Sequence, residues 1–300
     1  MESSLEGDKE DDDREWSFLP GEITLTDQVL GRGAFGEVRI AKWRNIEVAC
    51  KTLHTIDPAQ EDQLDVENLK HEITMLSKLR HPNLVLFLGV CQGLVNNTTS
   101  ILTELLPCSL YDILEVNKTI LQLPDILDIS LDISYGLDYL HKHNPQIVHR
   151  DISSKNILIG GNKAKIADLG QAKIFQNSHN SNTNSRQTSM PGAMAYSAPE
   201  VLTGKYTSKI DIYSYGILLS QMCNNLYPRI ERREEQLLLS YEKQPLLKNL
   251  IVLCVNYQHS ERPTAAYICQ YLETIKENDR NYPLSRKILP EKDIGILSRN

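Results

Sequence analysis

Between Ile147 and Gly170 the chain sets three oxygen-bearing side chains in turns flanked by short apolar runs, and this spacing restricts what it can fold into. The segment reads IVHRDISSKNILI (Ile147–Ile159), then KIADLG (Lys165–Gly170). Short β-branched runs bounded by polar residues predict strands. Turns at the ends of neighbouring strands bring their side chains to one rim, so Asp151, Asn156 and Asp168 are expected to converge. Asp168 and Asn156 are hard oxygen donors of the kind Mg²⁺ takes. Asp151 can accept or orient a hydroxyl proton. Taken singly, each is as readily a turn cap; the three in register are hard to explain that way.

Upstream, GRGAFGEV (Gly31–Val38) puts three glycines between two strand-like stretches. Without a Cβ, such a loop lets backbone N–H groups approach phosphate oxygens. Alone it reads equally as a structural hairpin, and the absence of a following helix argues against a dinucleotide turn. Fifteen residues beyond Gly36, Val48-Ala49-Cys50-Lys51 ends a strand on a lysine. Such a lysine is usually a rim charge; downstream of a glycine loop it reads as an ammonium that reaches phosphates and needs a carboxylate to hold it. Glu72 sits beside Ile73 and Leu76 on the apolar face of a predicted helix and could supply it, with a solvated surface charge as the alternative.

The pattern along the chain changes midway. From Ile23 to about Leu105 it predicts a small sheet, with strands at 37–43, 47–53, 84–91 and 100–105, and one helix from about Asp62 that His81-Pro82 stops. Beyond that it is mainly helical. Ile126, Ile133, Leu137 and Leu140 share one face, and Ile210–Met222 is apolar nearly all round, which marks a buried helix. Further helices are expected at 246–255 and 265–275. Asn177–Ser189 is almost entirely small and polar, and is expected to be a loop.

Charge and cysteine narrow the function classes. The first 15 residues carry a net −6 of the chain's −7, so the acidity belongs to a leader and the remainder is nearly neutral. No basic block points to nucleic acid. Six scattered cysteines, with no C-x-x-C pair, read as reduced thiols in a cytoplasmic chain. No apolar run is long enough to span a bilayer, although the chain could also be the intracellular part of a longer receptor.

Taken in order, the glycine loop, VACK, the helix glutamate, HRD with its asparagine, DLG, SAPE (Ser197–Glu200), DIYSYG (Asp211–Gly216) and ERP (Glu261–Pro263) resemble the eukaryotic protein kinases over roughly residues 20–277. HPNLVLFLGVC, Leu169 and AYSAPEVL are most similar to the tyrosine-kinase-like group of serine/threonine kinases, and HRDISSKN to plant receptor-like kinases. The resemblance implies an α+β, bilobal fold: a disordered acidic tail over 1–16, a kinase domain over 17–277 and an extension over 278–300. Within the domain it implies a small antiparallel sheet with one helix (17–103), a hinge (104–109) and a mainly α-helical lobe (110–277).

It also implies roles. Gly31, Arg32, Gly33, Ala34, Phe35 and Gly36 would cover the phosphates of ATP, and Lys51, paired with Glu72, would contact them. Val38, Ala49 and Leu158 would sandwich the adenine, with Thr103 as gatekeeper before Glu104 and Leu105. Asn156 and Asp168 would hold Mg²⁺, with Mn²⁺ as the alternative, and Asp151 would orient the hydroxyl of a protein substrate. Leu76, Phe87, His149 and Leu169 would stack as a spine anchored by Asp211, and Glu200 would pair with Arg262. Arg150 would collect a phosphate placed on Thr188 or Ser189.

Two departures bear on specificity. Ser153 stands where serine/threonine kinases usually carry lysine, with Lys155 two residues on as the substitute base, and Ala193 replaces the usual threonine. The expected activity is transfer to serine or threonine; a dual-specificity or tyrosine kinase, or a pseudokinase scaffold, are the alternatives. Cys108, at the hinge, is expected either at a pocket rim or packed.

Overall fold

A computed structural model describes residues 16–33, 36–53, 73–95, 98–175, 194–204 and 207–278. Expectations placed on the acidic leader up to residue 15, on Ala34, Phe35 and Glu72, on the 177–189 loop with Thr188 and Ser189, and on everything after Asn278 lie outside the described residues. The chain divides into two compact units, one drawn from residues up to 80 with 85–106, the other from 81–84 with 107 onward.

The first unit is a six-stranded sheet: β1 (Ser17–Phe18), β2 (Ile23–Gly33), β3 (Gly36–Trp43), β4 (Ile46–Leu53), β5 (Phe87–Val95) and β6 (Thr98–Glu104), in the order β1-β5-β6-β4-β3-β2. All neighbours are antiparallel except β1 and β5, which run parallel, so the sheet is antiparallel with one exception at its edge. Strand alternation sorts its faces. Ile23, Ala41, Val48, Cys50, Cys91 and Leu102 form a buried core, with Phe18, Leu25 and Trp43 packed against it. Ala49 and Lys51 alternate with Val48 and Cys50 and so take the opposite face. Helical structure is described over 73–78.

Trp16, assigned to the tail by the sequence, is ordered on this sheet. Its carbonyl accepts the Val90 N–H at 2.7 Å, its ring lies 6.1 Å from that of Phe87, and the Arg80 guanidinium sits 4.8 Å above it. Gly89 is what admits it: a Cβ there would run into the Trp16 carbonyl and the Phe18 ring.

The second unit contains β7 (Cys108–Ser109), α1 (Leu123–Lys142), β8 (Gln146–Val148), β9 (Ile157–Gly160), β10 (Lys163–Ile166), β11 (Lys173–Phe175), α2 (Lys209–Asn224), α3 (Arg233–Lys243), α4 (Lys248–Cys254) and α5 (Ala265–Asn278). As its pattern predicts, α1 buries Ile126, Ile133, Leu137 and Leu140 completely. Every residue of α2 from Ile210 to Asn224 is buried. Gly216 lets α2 approach α4; a Cβ on it would lie 2.7 Å from the Cys254 Cβ. The strand expected to start at Leu84 begins at Phe87 instead. Residues 81–84 join the second unit, where the Asn83 amide donates to the Ala164 carbonyl (3.0 Å) and the Asn83 carbonyl accepts the Ile166 N–H (2.9 Å). These polar commitments take the segment out of the sheet. All six cysteines are free thiols. Among the described residues no helix is long and apolar enough to cross a membrane.

Candidate active site

In the second unit a two-residue hairpin does the first positioning. Gly161 and Asn162 both take positive φ (56° and 60°), the backbone that a tight turn between β9 and β10 requires. The register pairs Ile157 with Ile166, so Asn156, just before β9, and Asp168, just after β10, leave the same end of the hairpin. The Ala167 N–H closes that end on the Asn156 carbonyl at 2.8 Å. β11 then pairs with β8, and Lys173 opposite Val148 returns the chain beside the His149-Arg150-Asp151 turn. The three residues whose convergence the spacing predicts are thus delivered by strand ends.

Side chains fix the details. Asn156 donates to the Asp151 main-chain carbonyl (2.9 Å) and to Asp151 Oδ2 (2.7 Å). With both amide hydrogens committed, its Oδ1 remains as the acceptor. His149 Nδ1 accepts the Asp151 N–H at 3.2 Å, which places the ring proton on Nε2, 3.0 Å from the Ala167 carbonyl. Beneath the turn, Asp211 of α2 accepts the His149 N–H with Oδ2 and the Arg150 N–H with Oδ1, both at 2.8 Å, and His141 Nε2 meets Oδ2 at 2.8 Å. Arg150 and Asp168 sit at φ 68° and 60°, a region that costs a non-glycine residue on the order of 1–3 kcal/mol. The carboxylate anchor beneath Arg150 holds one of these turns.

Electrostatics follow from this packing. Burial pushes the Asp151 carboxyl above its ordinary range and the Asp168 charge adds to that, while His149, the Asn156 hydrogen bond and Lys155 pull it down. Asp211 behaves oppositely. Burial alone would raise it, but the His141 hydrogen bond and charge, with the His149 contacts, hold it below the usual carboxylate value. Lys155 is exposed, with its ammonium 5.1 Å from the centroid of the Tyr111 ring.

The set suits a hard divalent cation. Asp168 is exposed and its Oδ1 accepts the Gly170 N–H at 3.2 Å, and Asn156 keeps its Oδ1 as an acceptor beside Asp151. Mg²⁺ needs no more than one or two such protein oxygens, since water and substrate phosphates complete its shell. Accordingly, no group of three or more acidic, histidine or cysteine ligands occurs among the described residues.

The first unit collects the other candidates on one face. One row of cross-strand partners runs Gly31–Val38–Lys51–Ile101, and the next Ile40–Ala49–Thr103–Phe87. Arg32 is exposed and pairs with Glu37 at 2.5 Å. Glu104 is pinned by the Leu86 N–H (2.7 Å) on its side chain, and Leu105 follows it half-buried. Leu158 lies half-buried on β9 of the second unit, and His149 and Leu169 are buried there. The expected pair of Glu200 and Arg262 is made twice over, at 2.5 and 2.9 Å. Cys108 is half-buried in β7, opposite Ile159. Sequence reasoning missed His141 as the partner of Asp211. The signal was a histidine on the α1 face next to Leu140, too common to single out.

Residues 24–272 match the protein tyrosine and serine/threonine kinase family. The chain is 35% identical to the seven transmembrane domain-containing tyrosine-protein kinase 1 of Dictyostelium discoideum, over 88% of this chain and 39% of that protein. It is 31% identical to the serine/threonine-protein kinase VIK of Arabidopsis thaliana, over 88% of this chain and 63% of that one. A third relative, the dual specificity protein kinase splA of Dictyostelium discoideum, is 33% identical over 83% of this chain and 11% of its own length. The chain thus spans less than two thirds of the curated relatives it matches. Strand-end delivery of Asp151, Asn156 and Asp168, the pairing of Glu200 with the buried Arg262 and the match over 24–272 lead to one conclusion: the chain belongs to the protein tyrosine and serine/threonine kinase family.

Proposed function

We propose that the chain is an ATP-dependent protein kinase that moves the γ-phosphoryl group of ATP to serine or threonine hydroxyls of a protein substrate. The observation that carries this reading is the Asn156 amide, which spends both hydrogens on Asp151 and so leaves an oxygen for a cation beside the carboxylate that would meet the substrate. Serine/threonine and dual-specificity relatives support the hydroxyl assignment.

Phosphoryl transfer asks a protein mainly for positioning and charge compensation. In this reading Asp168 and Asn156 Oδ1 hold Mg²⁺ or Mn²⁺, which when bound neutralises charge on the phosphates. Asp151 accepts a hydrogen bond from the substrate hydroxyl and takes up its proton, and Lys155 supplies positive charge nearby. The first unit supplies Gly31–Gly36 and Lys51 to the phosphates, with Glu72 holding Lys51. Val38, Ala49, Thr103, Glu104, Leu105 and Leu158 are the residues proposed to take the base. A phosphate on Thr188 or Ser189 adds about −1.5 to −2 charges for Arg150 to pair with, which would raise activity. Mass spectrometry of fully active protein free of phosphate at both positions would refute that regulation.

The test compares wild type with Asp168→Asn in Mg·ATP and generic protein substrates, followed by phosphoamino-acid analysis. Transfer by wild type, its loss in the variant, and phosphoserine or phosphothreonine in the product are expected. Phosphotyrosine alone would move the assignment to a tyrosine kinase, and an inert wild type to a scaffold.

A further inference from the structure

Below the catalytic turn lies a chain of buried polar side chains that the reading above does not use. Tyr196, in the segment before Ser197–Glu200, is 2% exposed, and its hydroxyl donates to Gln221 Oε1 of α2 at 2.7 Å. A phenol has one hydrogen, so the 2.9 Å contact with Ser154 Oγ is a bond that Ser154 donates. Gln221 Nε2 then donates to Glu115 Oε1 at 3.0 Å, and Glu115 pairs with Lys118 at 2.9 Å. The direction is single: Ser154 to Tyr196 to Gln221 to Glu115. Bonds aligned this way polarise one another, and a broken link leaves a buried group unpaired.

Ser154 is fully buried and lies between Asp151 and Asn156. Its carbonyl accepts the Tyr111 N–H at 2.9 Å, and the next residue, Lys155, rests on the Tyr111 ring. Tyr227 stands edge-on to both Tyr111 and Tyr196, at 6.2 Å from each. On the other side of Tyr196, the Ala195 carbonyl accepts from the Arg233 guanidinium of α3 at 2.6 Å. Two consecutive residues of the 194–198 segment are therefore fastened, one to the catalytic turn and α2, the other to α3.

We propose that Tyr196 is a positioning residue for phosphoryl transfer: its hydroxyl, bridging Ser154 and Gln221, couples the 194–198 segment to the Asp151–Asn156 turn and sets that turn's geometry. This rests on the kinase reading for its effect on turnover, but not for the coupling itself.

The experiment uses the full chain, with Tyr196→Phe, Ser154→Ala, Ser154→Thr and the Tyr196→Phe/Ser154→Ala double variant. Tyr196→Phe is expected to lower kcat/KM for a protein substrate about 10- to 100-fold, the scale set by small misplacements of reacting groups, with KM for ATP unchanged. Ser154→Ala should add little in the Tyr196→Phe background, and Ser154→Thr, which keeps the hydroxyl, should retain activity. Amide exchange over 149–156 should quicken in Tyr196→Phe at conditions where both proteins stay folded. An unaltered exchange rate, or lower stability with unaltered kcat/KM, overturns the proposal. An inert wild type would sink the kinase reading alone, since exchange decides the coupling without turnover.

Discussion

Asn156 gives one amide hydrogen to the main-chain oxygen of Asp151 and the other to its Oδ2, at 2.9 and 2.7 Å. The amide therefore orients the carboxylate and also partly offsets its burial.

The pH dependence of turnover follows. Burial raises the Asp151 carboxyl, Asp168 adds to this, and the Asn156 hydrogen bond is among the groups that pull it back. In the proposed role Asp151 takes up the substrate's proton and so must be ionised, and activity is expected to fall as pH drops through the raised value. Asn156→Ala removes a lowering contact, and the acid limb of kcat/KM should move to higher pH. It should also cost at least about 10²-fold at neutral pH, the low end of what a positioned base contributes. A fall in rate with an unmoved limb would refute the electrostatic part.

Arg262 is fully buried and its guanidinium grips Glu200 in two bonds, while Nε meets the Asn256 carbonyl at 2.7 Å. Arg262→Ala strands a carboxylate and should destabilise the protein by about 3–5 kcal/mol. Removing both partners, as Glu200→Leu/Arg262→Met, should cost less than the two single changes together. Urea unfolding of the four proteins checks this; strict additivity would show that the pair is not coupled.

At Gly216 the α2–α4 approach leaves no room for a methyl group beside Cys254 and Val255. Gly216→Ala should lower stability by about 1–3 kcal/mol through overpacking. Cys254→Ala in the same chain should recover part of that loss, as thermal melts would report.

Cys108 reads as either a rim thiol or a packed one, and its surroundings favour the second. Burial, with the Asp112 charge, pushes the thiol up to about 11 from an ordinary 9.0. The reactive thiolate is then roughly a hundredfold scarcer than in a free cysteine at neutral pH. Iodoacetamide should label Cys108 correspondingly slowly in the folded protein and at the ordinary rate in urea. Rapid labelling of the native chain would count against this.

Much of the candidate site is legible in the sequence because local chemistry places it. The Gly161-Asn162 turn and the apolar runs around it suffice to put Asn156 and Asp168 at one end of a hairpin. The all-round apolar character of 210–222 likewise marks α2 as buried. α3 gives no such signal: Leu237, Leu238 and Leu239 run consecutively, Leu238 is 61% exposed, and the helix buries Gln236 and Ser240 instead. Nor does a pattern reveal that Tyr196 meets Ser154, 42 residues away, since only the fold brings the two hydroxyls together. The Leu84 strand fails for a related reason: Asn83 and Leu84 engage Ala164 and Ile166, partners that no local window contains.

The short strand β1 and Trp16 before it also matter to anyone trimming the protein. They cover the outer edge of β5, the Trp16 carbonyl taking up the Val90 N–H. A shortened chain that begins at Pro20, chosen to shed the acidic leader, would uncover a sheet edge that contains Gly89, ready to pair with a neighbouring molecule. Starting at Glu15 would remove most of the leader's charge and keep the edge covered.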